Sequence, residues 1–196
     1  MKINKLLIAT HNIGKFTEIK KQLEVLDIKI VSLSDLGIKE DFEETGETFE
    51  ANAMGKAKFY YNLAKIPTIS DDSGFAVDAL NGEPGVHSRT WPGYEASDEE
   101  LLQMLLYKMK DVPDQERTAK AVCVIAFYNG EEEIITRGEE YGTISKKVES
   151  KIEKGLPYSA VFFSKGYNKV FSQLSIEEKN AISHREIALD KLIKKL

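Results

Sequence analysis

Four short segments carry residue types able to do phosphate chemistry. The first is Thr10-His11-Asn12-Ile13-Gly14-Lys15, set between an apolar run and a helical pattern. At a helix start the free backbone N–H groups and the dipole favour an anion. Gly14 permits close backbone approach, Lys15 brings a cation, and Thr10 and Asn12 can donate hydrogen bonds. The segment reads either as a phosphate cradle or as an ordinary capped turn, and its single glycine does not match a P-loop.

The second segment is Glu43-Glu44-Thr45-Gly46-Glu47-Thr48-Phe49-Glu50, followed by Asn52 and Lys56. Carboxylates this dense repel unless solvated or shared with a cation, and Mg²⁺ is commonly held by one or two of them plus waters and phosphates. Glu43, Glu47 and Glu50 read as a solvated helix start. Asn52 and Lys56, four apart, share a helix face. The third segment is Ser70-Asp71-Asp72-Ser73-Gly74, directly after a strand. It reads either as a metal and general-base site, in which a carboxylate takes a proton from water, or as a turn. The fourth is Lys179-Asn180-Ala181-Ile182-Ser183-His184-Arg185. Ser183 can cap the last helix, which puts His184 and Arg185 in its first turn. Cations there oppose the dipole, so they have another reason to be present. A guanidinium clamps a carbonyl or phosphate, and an imidazole can read a base edge. His87 reads as structural.

The elements that position these segments follow from periodicity. Strands are expected at Lys5–Thr10, Lys29–Ser32, Pro67–Ser70, Phe75–Val77, Ala119–Tyr128, Glu132–Arg137 and Val161–Phe163. The two around Asp71-Asp72-Ser73-Gly74 would flank a turn, and Asn129-Gly130 would close a hairpin. Helices are expected at Lys15–Leu26, Phe49–Leu63 and Asp98–Met109, with a Lys-rich helix at the end. Ser97 with Glu100, and Ser175 with Glu178, form capping boxes. The hairpin forces antiparallel neighbours, so the expected fold is one α/β domain over residues 1–196 with a mixed sheet.

Composition excludes several classes. The 196 residues are 42% apolar and 30% charged, as in a globular chain. Lys and Arg number 27 against 32 Asp and Glu, a net −5, which argues against binding a nucleic-acid polymer. The single cysteine, Cys123, lies in an apolar strand and reads as buried and inert. No run is apolar enough for a membrane span, and the expected location is the cytoplasm.

Taken in order, ATHNIGK, ETGETFEANAMGKA, SDDSGFAVDALNGEPGVHSR and GYNKVFSQLSIEEKNAISHR resemble the inosine triphosphate pyrophosphatase family over nearly the whole chain. That resemblance implies an elongated α/β fold with a mixed sheet, flanking helices and two lobes around a central cleft, usually as a homodimer. It implies hydrolysis of non-standard purine nucleoside triphosphates (ITP, dITP, XTP) to the monophosphate and pyrophosphate. Thr10, His11, Asn12, Ile13, Gly14 and Lys15 would hold the triphosphate. Glu44 and Asp72 would bind Mg²⁺, and Asp72 would also position or deprotonate the attacking water. Lys56 and Ser73 would contact phosphates. Lys179, His184 and Arg185 would read the purine, with Tyr158 beside it.

The family's aromatic-Gly-aromatic-Asp-Pro segment departs here to Leu156-Pro157-Tyr158-Ser159-Ala160. Leu156 removes a stacking surface, Pro157 fixes φ, and Ser159 removes a charged acceptor. The alternatives are therefore the same chemistry with altered or relaxed base specificity, or a nucleotide-binding protein that turns over poorly.

Overall fold

The computed structural model describes residues 3–196. Among them, seven strands form one mixed sheet in the order β2-β1-β3-β5-β6-β7, with β4 pairing β3 at one end. The strands are β1 (Lys5–Ile8), β2 (Lys29–Ser32), β3 (Thr68–Val77), β4 (Pro84–Gly85), β5 (Thr118–Tyr128), β6 (Glu133–Ile144) and β7 (Phe162–Ser164). The helices are α1 (Ile13–Leu23), α2 (Phe49–Ala64), α3 (Asp98–Lys108), α4 (Ile176–Ile182) and α5 (His184–Ile193). β1 runs parallel to β2 and β3, while β3–β4 and β6–β7 are antiparallel.

The chain divides into two compact units. One comprises residues 1–73, 123–138 and 185–196, and the other residues 74–122 and 139–184. β3, β5 and β6 each carry residues of both units.

In the first unit both sheet faces are covered, so β1 is apolar at consecutive positions rather than alternate ones. Leu6 and Ile8 pack with Ile19 and Leu23 of α1 and Ala188, Leu189 and Leu192 of α5. Leu7 and Ala9 point the other way, into a cluster with Tyr60 of α2. Cys123 is buried in the first of these clusters, and burial pushes its thiol up to about 12. Burial and that shift disfavour the reactive thiolate.

The second unit has its own core of Phe75, Val77, Leu101, Leu102, Leu105, Met109, Ile144 and Tyr158. Ser97 and Glu100 close the expected capping box at α3, and Ser175 and Glu178 do so at α4. Arg117 is buried, with no carboxylate hydrogen-bonded to it among the described residues. Its guanidinium donates instead to the carbonyls of Met109, Val112, Ile144 and Ser145.

Two local expectations are corrected. Asp71-Asp72-Ser73-Gly74 is not a turn but the middle of a single ten-residue strand, β3. Turn propensity yields because each carboxylate faces buried polar partners on its own side of the sheet. The β5–β6 connection is the four residues 129–132 rather than a two-residue turn. The Asn129 carboxamide accepts from the N–H groups of Glu131 and Glu132, and Gly130 takes φ +102°.

Candidate active site

Strand parity sorts the two aspartates. Side chains alternate faces along β3, so Asp71 shares a face with Ile69, whose partners are α1 and α5. Asp72 shares the other face with Ser70, whose hydroxyl donates to the carbonyl of Ala53 in α2. Adjacent in sequence, the two carboxylates therefore have different neighbours.

Asp71 is the hub of a buried charge cluster. Its side chain is 2% exposed, and Oδ2 lies 2.8 Å from Lys15 Nζ and 3.9 Å from Arg185 Nε. Ser73 Oγ donates to the same oxygen at 2.9 Å. Burial alone would raise the carboxyl, but Lys15, Arg185 and Lys56 outweigh it and hold it well below the usual carboxylate range. Burial acts against the charge on Lys15 and Arg185 too, and Asp71 outweighs it, so both stay firmly charged. Arg185 also pairs with Glu18.

Asp72 is in the opposite condition. It is 5% exposed, and its Oδ2 is buried with no hydrogen-bond partner among the described residues. Burial, then the nearby charge of Glu44, pushes its carboxyl up to about 6, against a smaller opposing effect of a hydrogen bond from Asn52. Glu44 is paired with Lys56, whose ammonium also donates to the backbone carbonyl of Asp71 at 3.0 Å. Asn52 is buried on α2, and its Oδ1 accepts from Gly46 N at 2.7 Å. A Cβ at Gly46 would stand 2.6 Å from that oxygen, so glycine lets the acidic loop close onto the helix.

A lone oxygen on a buried carboxylate, with a second carboxylate near enough to raise its pKa, is a donor set that wants a cation. Two carboxylates suit Mg²⁺, which completes its shell with waters and phosphate oxygens. The residues present fit that ion.

The loop before α1 leads into a helix N-terminus, a position that favours an anion. Asn12 caps the helix, with Oδ1 accepting from Lys15 N at 3.1 Å, and Thr10 Oγ1 accepts from Asn12 N at 3.1 Å. The first turn of α1 has no acidic residue, and Ile13 is 82% exposed beside it. His11 is turned to the backbone, with Nε2 3.0 Å from the carbonyl of Glu40.

The Ham1 family model matches residues 6–195. The chain belongs to the Ham1 family. It is 42% identical to the dITP/XTP pyrophosphatase of Caldanaerobacter subterraneus subsp. tengcongensis over 96% of this chain and 94% of that protein. It is 39% identical to the dITP/XTP pyrophosphatase of Escherichia coli K12, over 97% of each chain. A solved Ham1 protein from Coxiella burnetii matches with a TM-score of 0.88 and 33% identity over 98% of each chain.

In this Ham1 chain, the first unit holds Thr10 to Lys15, Glu44, Lys56, Asp72, Ser73 and Arg185. The second unit holds Tyr158, Lys179 and His184. Lys179 is paired with Glu153 at 2.6 Å, and His184 faces Glu140. Tyr158 lies in the core of its unit, stacked on Phe75 with its hydroxyl donating to the Ser88 carbonyl. Leu156 is 49% exposed, and Ser159 is buried with its hydroxyl on the carbonyl of Leu156.

Sequence reasoning left Asp71 and Asn52 without roles. The period-two alternation of a strand through Ser70–Gly74 would have separated Asp71 from Asp72. The four-residue step from Asn52 to Lys56 already put Asn52 on the lysine's face.

Proposed function

We propose that this chain hydrolyses non-standard purine nucleoside triphosphates, ITP, dITP and XTP among them, to the monophosphate and pyrophosphate. The observation that carries the reading is Asp72: a buried carboxylate with an unused oxygen, raised to about 6 beside Glu44. That is a carboxylate tuned to take a proton near neutral pH. The names of the relatives support the substrate class. We take residues 1–196 as one catalytic domain, acting as a cytoplasmic homodimer on a free nucleotide rather than a polymer.

In this reading, Thr10 to Lys15 receive the triphosphate on the helix N-terminus, and Lys15, Lys56 and Ser73 meet phosphate oxygens. Asp72 orients a water and accepts its proton as the water's oxygen bonds to phosphorus. The bond between the α- and β-phosphates breaks, and the electron pair leaves with pyrophosphate. Lys15 and Lys56 offset the charge that develops on it. Glu44 and Asp72 would hold Mg²⁺, which when bound supplies further charge neutralisation at the phosphates. Lys179, His184 and Arg185 read the purine.

Leu156, half exposed where the family resemblance leads one to expect a stacking aromatic, favours a second reading with relaxed base specificity. One assay addresses both. Pyrophosphate release is measured with dITP, XTP and the four common deoxynucleotides in Mg²⁺. Release from dITP and XTP well above the common set supports the main reading, and a preference under about tenfold favours the second. No release from any nucleotide refutes both.

A further inference from the structure

The second unit holds a buried acid beside His184 to which the proposed reaction gives no task. Glu140 lies in β6, 5% exposed. Its Oε1 accepts from the hydroxyl of Ser164, itself 2% exposed in β7. Its Oε2 is buried with no hydrogen-bond partner among the described residues, and so is Nδ1 of His184. These two unsatisfied atoms face each other at 3.6 Å. A buried carboxylate is costly unless something answers it, and the imidazole stands opposite the free oxygen. Ser159 stands where the family resemblance implies a carboxylate.

We propose that Glu140 is a specificity-determining residue for the purine, acting through the tautomer of His184. The inference rests on the reading of His184 as a base-reading residue. The Glu140 carboxylate can only accept, so it selects the tautomer with the proton on Nδ1. Nε2 is then a lone pair. A 6-keto purine offers a proton at N1, which that lone pair accepts. A 6-amino purine offers a lone pair at N1, and acceptor meets acceptor. Glu140 thereby makes His184 reject adenine without touching the base.

The test compares the wild type with Glu140→Gln, which keeps the size and the Ser164 bond. With Oε1 still held by Ser164, the glutamine places its NH₂ opposite Nδ1, and the preferred tautomer reverses. The ratio of kcat/KM for ITP over ATP is expected to fall at least roughly tenfold, through KM rather than kcat. Long-range ¹H–¹⁵N spectra give an independent readout. The chain has three histidines, so the His184 signals are assigned against His184→Asn. The wild type is expected to show the proton on Nδ1, and Glu140→Gln to show it on Nε2. A wild-type His184 protonated on Nε2 overturns the proposal, as does a ratio that changes less than threefold. A wild type inert toward every nucleotide sinks the proposed function, and the role of Glu140 with it. An active, selective wild type with an unchanged variant removes only Glu140.

Discussion

Replacing Asp71 by Asn tests the charge cluster that the first unit is built around. The substitution keeps shape and removes one charge, leaving Lys15 at 2.8 Å and Arg185 at 3.9 Å to repel each other over a neutral amide. Removing one partner of a buried ion pair costs roughly 3–5 kcal/mol. Lys15 keeps 30% of its side chain exposed, so water answers part of its charge and the lower end applies, about 3 kcal/mol. For a chain of this length that lowers Tm by roughly 6–12 °C. The pH dependence has a definite sign. The Asp71 carboxyl lies below its unfolded value, so its stabilisation is present above that value, near pH 4, and is lost as pH falls further. Thermal unfolding of both proteins at pH 7 should show the full gap, and the gap should narrow below about pH 4. A variant within 2 °C of wild type at pH 7, roughly 1 kcal/mol or less, would show that Asp71 does not hold these cations.

Asp72→Asn should cut pyrophosphate release by about 10²–10⁴ while leaving the circular dichroism spectrum unchanged. In EDTA the same variant should be more stable than wild type at pH 8, because its native carboxyl is raised to about 6 from 3.8 and the ionised form is disfavoured. Two pKa units correspond to about 3 kcal/mol, and the advantage should vanish below about pH 4, where the aspartate is neutral in both states. A less stable variant at pH 8 would refute that account. Ser97→Ala removes the hydroxyl that caps α3 and should cost about 1 kcal/mol, a Tm loss of roughly 2–4 °C, with unchanged activity.

The acidic site shows a trade-off in physical terms. In the proposed reading, Asp72 and Glu44 are set near each other at a cost to the metal-free protein, and that cost leaves an oxygen free for a cation and a proton. Asp71, one residue away, carries the opposite sign of shift because strand alternation turns it toward Lys15 and Arg185. Carboxylates of opposite shift are thus separated by one peptide unit.

Much of this was legible from residue order. The capping boxes at Ser97 and Ser175 depend on side chains three residues apart, so local sequence determines them. The helix pattern of Phe49–Leu63 placed Asn52 and Lys56 on one face. Other features needed the tertiary structure. Asp71-Asp72-Ser73-Gly74 has the composition of a turn, and only neighbouring strands and buried partners make it the centre of β3. Lys15 and Arg185 are 170 residues apart, and α1 and α5 must share a sheet face before one carboxylate can hold both. Glu140 is not set apart by residue order from Glu139 beside it. Its burial against Ser164 and His184 depends on β7 and the start of α5, because pairing between distant segments decides which charges leave water.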